Sequence, residues 1–144
     1  MKKYVAAIND KTTYEEHVWR SDEIFVFGSN LAGIHGAGAA KFALENCGAV
    51  WGRGVGLQNK SYALPTKGET LHTLSLLNIG KFVNDFIKFS NQCSIEIKFF
   101  LTAVGTGLAG FTDDQIAPLF IEVPQNVRVP PQWRPIIAKA RERI

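Results

Sequence analysis

Two glycine-rich stretches carry the residues best suited to chemistry. The first runs Gly28-Ser29-Asn30-Leu31-Ala32-Gly33-Ile34-His35-Gly36-Ala37-Gly38-Ala39-Ala40, the second Val104-Gly105-Thr106-Gly107-Leu108-Ala109-Gly110-Phe111-Thr112. Glycine lets the backbone take positive φ and lets a guest approach with no Cβ in the way. Where such a stretch opens a helix, its exposed amides and the helix dipole favour a phosphate or diphosphate. Asn30 adds a side chain that both donates and accepts, which suits a ribose hydroxyl. The first stretch is neither a Walker A loop, which ends in Gly-Lys-Ser/Thr, nor the Gly-x-Gly-x-x-Gly dinucleotide fingerprint. Taken alone, it is explained equally well as a close-packed turn. Two such stretches in one small domain are harder to ascribe to packing.

Three single residues stand out beside the loops. His35 can serve as a general base beside a diphosphate, or simply hydrogen-bond to backbone. Lys67 ends the segment Gly56-Leu-Gln-Asn-Lys-Ser-Tyr-Ala-Leu-Pro-Thr-Lys67. A lysine there balances diphosphate charge, attacks the anomeric carbon of a sugar, or stays solvated. Phe111 either stacks on a ribose or base or covers the helix as a core residue. His17 and His72 show no partner in the sequence.

The elements that must position these residues follow from pattern. Tyr4 to Ile8 reads as a first strand, and Tyr14 to Asp22 as a turn of helix. Ile24-Phe25-Val26-Phe27 is apolar throughout, as in a strand buried on both faces of an α/β sheet. Gly36 to Asn46 reads as a helix stopped by Gly48. Val50 to Lys60 reads as loop, and Ser61 to Leu64 as a short strand ending at Pro65. Ile79, Phe82, Val83, Phe86 and Ile87 form one apolar stripe on a helix over Ser75–Ser90. Ile95, Ile97, Phe99 and Leu101 alternate with polar neighbours, predicting a strand that runs to Val104. Thr112 and Gln115 make a capping box, so a helix starts at Asp113, shortened or kinked by Pro118. Asn126 to Val129 reads as an edge strand, because Pro130 and Pro131 follow, and Pro135 suits the first turn of a last helix. The order predicts a three-layer α/β domain with ligands at the carboxyl ends of its strands.

Composition sets the class. The chain has 144 residues, 46% hydrophobic and 20% charged, as expected of one globular domain. No apolar run reaches membrane-spanning length. Met1-Lys2-Lys3 and Tyr4–Ile8 imitate a secretion signal only until Asn9, Asp10 and Lys11 end the run. Cys47 and Cys93 have no CxxC or His motif, so they read as free thiols of a reducing, cytoplasmic protein with no metal site. The net charge is +3 and the isoelectric point about 9.0. Arg134, Lys139, Arg141 and Arg143 crowd the C-terminal end, where a solvated helix face is a better explanation than a nucleic-acid contact.

Together the two loops resemble the macrodomain family, whose members bind ADP-ribose and in many cases hydrolyse its esters or glycosidic links. Asn30 with Gly36-Ala-Gly-Ala-Ala40 is similar to that family's Asn…Gly-Gly-Gly-Val loop. Gly105-Thr-Gly-Leu-Ala-Gly-Phe111 is similar to its phosphate loop, and the likeness extends from about Ile24 to Phe120. The resemblance implies a three-layer α/β/α fold around a mixed, largely parallel sheet, spanning residues 1–144 as one domain. It implies Asn30 at the distal ribose, with Gly36 and Gly38 lining that pocket and Gly28, Ser29 and Ala37 also binding the ligand. Gly105, Thr106, Gly107 and Leu108 would wrap the diphosphate, Ala109 and Gly110 would also bind the ligand, and Phe111 would lie on the distal ribose. Tyr62-Ala-Leu-Pro-Thr-Lys67 resembles the segment bearing the catalytic lysine of the terminal ADP-ribose glycohydrolase branch. Ala109 occupies the place of that branch's assisting aspartate, with Asp113 and Asp114 a few residues on. The family's adenine-reading Gly-Asp-Ile motif is missing ahead of Ile24, where Asp22 is the nearest acid.

Three functions stay open at this point. The domain hydrolyses an ADP-ribosyl linkage with Asn30, His35 or Lys67 as catalytic residues. It binds ADP-ribose or another NAD-derived nucleotide without chemistry, as a reader or sponge. Or it is a basic module touching nucleic acid, with the glycines as architecture. None requires a cofactor.

Overall fold

The structure is a computed structural model that describes Tyr4 and residues 16–144. Apart from Tyr4, the expected strand over Tyr4–Ile8 lies outside the described residues, as does the start of the Tyr14–Asp22 segment. Residues 16–22 form no helix.

Among the described residues, five strands make one sheet: β1 (Ile24–Asn30), β2 (Gly56–Gln58), β3 (Ser61–Lys67), β4 (Phe99–Leu101) and β5 (Val127–Arg128). Their order is β2-β3-β1-β4-β5. β1 runs parallel to both β3 and β4, and β4 parallel to β5. Only β2 is antiparallel, folded back on β3. The sheet is therefore mixed and largely parallel, as the pattern predicts.

Helices cover both faces: α1 (Gly38–Asn46), α2 (Leu76–Gln92), α3 (Asp113–Ile116) and α4 (Arg134–Glu142). The period of two in the strands sorts the core. Phe25 and Phe27 point to the α1 side with Trp19, Ala43, Ala63 and Phe100. Val26, Tyr62, Leu64, Phe99 and Leu101 point to the other side, where they meet Ile79, Val83, Phe86 and Ile87 of α2. Phe25, Val26 and Phe27 are all fully buried, which is why β1 carries no polar alternation.

The helix limits have local causes. α1 starts at Gly38, two residues later than expected, because Ala37 is still extended (φ −152°). Past its end, Gly48 takes the left-handed conformation (φ 73°). Ser75 caps α2 by accepting from the Asn78 amide. The Thr112–Gln115 capping box opens α3, and Pro118 turns its continuation into a single 3-10 turn, Ala117–Phe120.

Three expectations need correction. The strand predicted over Ile95–Val104 is limited to Phe99–Leu101. Both neighbours begin opposite Phe99, Ile24 on one side and Val127 on the other, so residues 95–97 have nothing to pair with. They form a turn instead, with Ile97 N bonded to Ser94 O at 2.9 Å, and Ile95 and Ile97 are exposed. Pro65 does not end β3. The Phe25 amide donates to Lys60 O, so even-numbered residues of β3 face β1 and Pro65 faces the opposite flank. There β2 stops at Gly56, opposite Ala63, so the missing N–H forfeits no ladder bond. The stretch Val50–Lys60 is not all loop, since Gly56–Gln58 returns on β3 through a tight turn with Asn59 at φ 54°.

Two polar clusters lock the sheet. Arg128 of β5 donates to both carboxylate oxygens of Glu23, at 2.6 and 2.9 Å, and its guanidinium lies 5.0 Å from the Phe100 ring centroid. Glu23 is buried, so the pair ties the start of β1 to the sheet edge with strong charge-assisted bonds. His17 donates from Nε2 to Leu101 O at 2.7 Å and stacks on Phe100 at 4.0 Å. Its Nδ1 is buried with no partner among the described residues.

Burial is the main cause that pushes the His17 pKa down from 6.5 to about 4; the nearby Arg128 adds to it, against the Leu101 bond. The unfolded chain therefore takes up this proton first as pH falls. The stabilisation is complete above pH 6.5 and is lost progressively toward pH 4. Urea unfolding at pH 7 and pH 5 is expected to differ by about 2 kcal/mol from this group. His17→Phe, which cannot titrate, should remove that part of the difference.

Candidate functional site

β1, β3 and β4 are parallel neighbours, so their carboxyl ends, at Asn30, Lys67 and Leu101, lie side by side. Both glycine-rich loops leave from that edge. Gly28 and Gly105 nearly touch: a Cβ on Gly28 would lie 3.7 Å from the Gly105 amide nitrogen. Between the loops opens a crevice of about 520 Å³, within the usual range for a small-molecule site. Of the residues singled out by sequence, Gly28, Ser29, Asn30, Gly36, Ala37, Gly38, Lys67, Gly105, Thr106, Gly107, Leu108 and Ala109 line it.

The first loop holds its shape by polar bonds pointing away from the crevice. The Asn30 amide brackets Ile34, donating to its carbonyl and accepting from its N–H, both at 2.9 Å. That leaves one N–H and one lone pair for a guest. Ser29 Oγ donates to Gly54 O at 2.5 Å. Gly33 (φ 71°) and Gly54 allow backbones to meet closely: a Cβ on Gly33 would sit 2.3 Å from Gly52 C, one on Gly54 2.1 Å from Asn30 O. These two glycines are architecture.

His35 is fully buried behind this loop. Its Nε2 lies 2.9 Å from Val50 O and 3.0 Å from Arg53 O, so it carries the proton and donates to both. The ring packs edge-on against Phe27 and does not line the crevice. The general-base role is corrected accordingly: His35 pins two loops together.

From Gly36 onward the loop presents backbone. Gly36, Ala37, Gly38, Ala39 and Ala40 all line the crevice, and no side chain caps the N-terminus of α1. α2 and α3, by contrast, are capped by Ser75 and Thr112. First-turn amides without a partner, together with the helix dipole, create a positive pole facing the crevice.

The second loop adds a similar set. Thr106 folds onto Ala103 O through its amide and its hydroxyl, and Phe111 N reaches Gly105 O. The amides of Gly107, Leu108 and Ala109 donate to no described residue. Gly105-Thr-Gly107-Leu-Ala-Gly110 has the glycine spacing of the dinucleotide fingerprint. The helix after it starts only at Asp113 and lasts four residues, unlike the long helix that fingerprint opens. Gly110 and Phe111 do not line the crevice. Phe111 packs, partly buried, on the α2-side core, which corrects its assignment to a ribose.

Lys67 reaches the crevice through an irregularity. Ser29 pairs with Pro65 but Asn30 with Lys67, so Thr66 is an extra residue. Neighbours on a regular strand face opposite sides; with this bulge Thr66 and Lys67 both line the crevice. Lys67 is the one charged side chain among the described lining residues. Asp113 accepts from Trp133 Nε1 at 2.7 Å, and neither it nor Asp114 lines the crevice, so no described acid joins the lysine there.

Several lining residues carried no signal in the sequence. Leu71 sits at φ 66° in the hairpin after Lys67, closed by a Lys67–Thr73 bridge and tied to the second loop by Thr73 Oγ1 donating to Ala109 O at 3.2 Å. Nothing marks a leucine for positive φ in advance. Tyr4 lines the α1 end, its ring held by Phe25, Phe42 and Phe100 at 4.9, 5.0 and 6.1 Å. Among the described residues no three His, Cys, Asp or Glu side chains gather as a metal site. Both cysteines are free, and burial pushes the Cys47 thiol up to about 12. Among the described residues no helix is long and apolar enough to cross a membrane.

The two kinds of glycine separate experimentally. Gly33→Ala and Gly54→Ala should each destabilise the fold by about 2 kcal/mol or more, because a backbone must move. Gly107 has open space around it, so Gly107→Ala should stay within about 0.5 kcal/mol of the parent in urea unfolding.

No family model, curated protein or solved structure matches this chain.

Proposed function

We propose that the chain binds ADP-ribose or a related NAD-derived nucleotide in the crevice between its two glycine-rich loops, within a macrodomain-like fold. The observation that carries this reading is convergence. Two loops from parallel strands turn unbonded amides toward one crevice that holds a single charged side chain, Lys67. Amides in pairs and a helix N-terminus suit a diphosphate, whose charges are spread over several oxygens. The crevice volume of about 520 Å³ is in the range of small-molecule sites.

Binding without chemistry is the better supported form of the reading. Hydrolysis needs a nucleophile or a base at the reacting carbon. His35 faces away, and the Asn30 amide is mostly engaged by Ile34. A hydrolytic reading therefore rests on Lys67 alone, acting without the acid that normally assists such a lysine. On the basic C-terminal helix, Arg141 donates to the carbonyls of Ile121 and Val123.

Thermal-shift titration with ADP-ribose tests the reading. At a hundred times its dissociation constant the nucleotide should add about 2.7 kcal/mol of stability, seen as a higher Tm. Lys67→Ala should weaken binding about tenfold, or 1.4 kcal/mol, with an unchanged Tm in the free protein. Gly107→Ala, neutral for the fold, should also weaken binding because its new methyl projects beside the amides. Affinity should fall only gently with salt; a steep logarithmic slope would favour the nucleic-acid alternative. Turnover of an ADP-ribosylated peptide that vanishes in Lys67→Ala would establish the hydrolase form.

A further inference from the structure

We propose that the crevice selects its guest by the diphosphate and tolerates any base, so its ligand class is nucleoside diphosphate sugars in general. This inference rests on the nucleotide reading above and goes beyond it. It starts from what the polar side chains around the crevice are doing. Ser29 Oγ donates to Gly54 O, Thr102 Oγ1 to Val26 O at 2.7 Å, and Thr106 Oγ1 to Ala103 O at 2.7 Å. Thr66 Oγ1 points its hydrogen at Ser29 O, 3.4 Å away, and the Asn30 amide brackets Ile34. Each serine and threonine hydroxyl hydrogen on the described lining is thus directed into the protein's own backbone.

Telling one base from another requires donors and acceptors set against the pattern on its edge. A site built that way rejects the wrong partner strongly, because its own buried polar groups are left unpaired. Beyond the Tyr4 hydroxyl and the remaining N–H and lone pair of Asn30, the described side chains of the lining offer no such array. Outside the loops the lining consists of Tyr4, Thr66, Lys67, Leu71, Thr102 and Ala103, and at the α1 end the Tyr4 ring lies beside the small apolar Ala39 and Ala40. A ring held by three other aromatics is a rigid platform, and stacking on it is open to every base because each has a π face. The selective chemistry lies elsewhere, in Lys67 and the amides of Gly107, Leu108 and Ala109, all of which recognise negative charge.

Calorimetric titration of the full chain with ADP-ribose, GDP-ribose and UDP-ribose tests this, with ADP and AMP as controls for the second phosphate. The three diphosphate riboses should bind within about tenfold of one another, since only stacking differs among them. AMP should bind at least about tenfold more weakly than ADP. Lys67→Ala should lower all three affinities by a common factor. A preference for adenine over uracil greater than about tenfold would overturn base tolerance while leaving the nucleotide reading intact. If none of the three binds to folded protein, both fall together.

Discussion

The site depends on β1 lying between two parallel partners. Its ladder to β3 and its ladder to β4 bring three carboxyl ends to one edge, and the loops that follow have no choice but to face each other. The register is enforced by burial. Phe25 and Phe27 belong to one core and Val26 to the other, so a slip of one residue would exchange all three between faces. The Glu23–Arg128 pair and the His17 bond to Leu101 O brace the same region, one at the start of β1 and one at the end of β4. A buried ion pair of this kind adds more to the definition of the arrangement than to its stability, since desolvation offsets much of the attraction.

On that frame the loops divide their labour between side chains and backbone. Side chains face inward: Ser29, Asn30, His35, Thr102 and Thr106 all bond to carbonyls of neighbouring segments. Backbone faces outward, at Gly36–Ala40 and Gly107–Ala109. A loop held from behind presents fixed amides, and fixed dipoles need no reorganisation when an anion arrives. The hydroxyl protons of Ser29, Thr66, Thr102 and Thr106 are engaged by carbonyls, and among the described lining residues only Lys67 brings a charge.

The glycines make the division visible. Gly33 and Gly54 are small so that one backbone can pass against another, whereas Gly107 and Gly38 have nothing near the position a Cβ would take. In sequence these look alike. Only the neighbours, supplied by chain segments about twenty residues away, tell a packing glycine from one that keeps a cavity open.

Local chemistry was legible in the chain itself. The unbroken apolar run of β1, the stripe on α2, the capping box at Thr112, the stop at Gly48 and the edge position of β5 each follow from interactions within a few residues, or from burial that a short pattern records. So did the pair of loops at strand ends, and their order along the chain. What needed the tertiary structure was anything decided by a neighbour distant in sequence. Ile95 and Ile97 alternate like a strand, yet no strand lies beside them. Pro65 reads as a stop but sits where its flank is open. His35 and Phe111 carry chemistry suited to a site, and their orientation depends on carbonyls and core surfaces contributed by other segments. The sequence alone determined which backbone is glycine-rich and bare of side chains at the strand ends. The packing of β1 between β3 and β4 decided that both loops share one crevice, because strand pairing, unlike helix capping, is a contact between residues far apart along the chain.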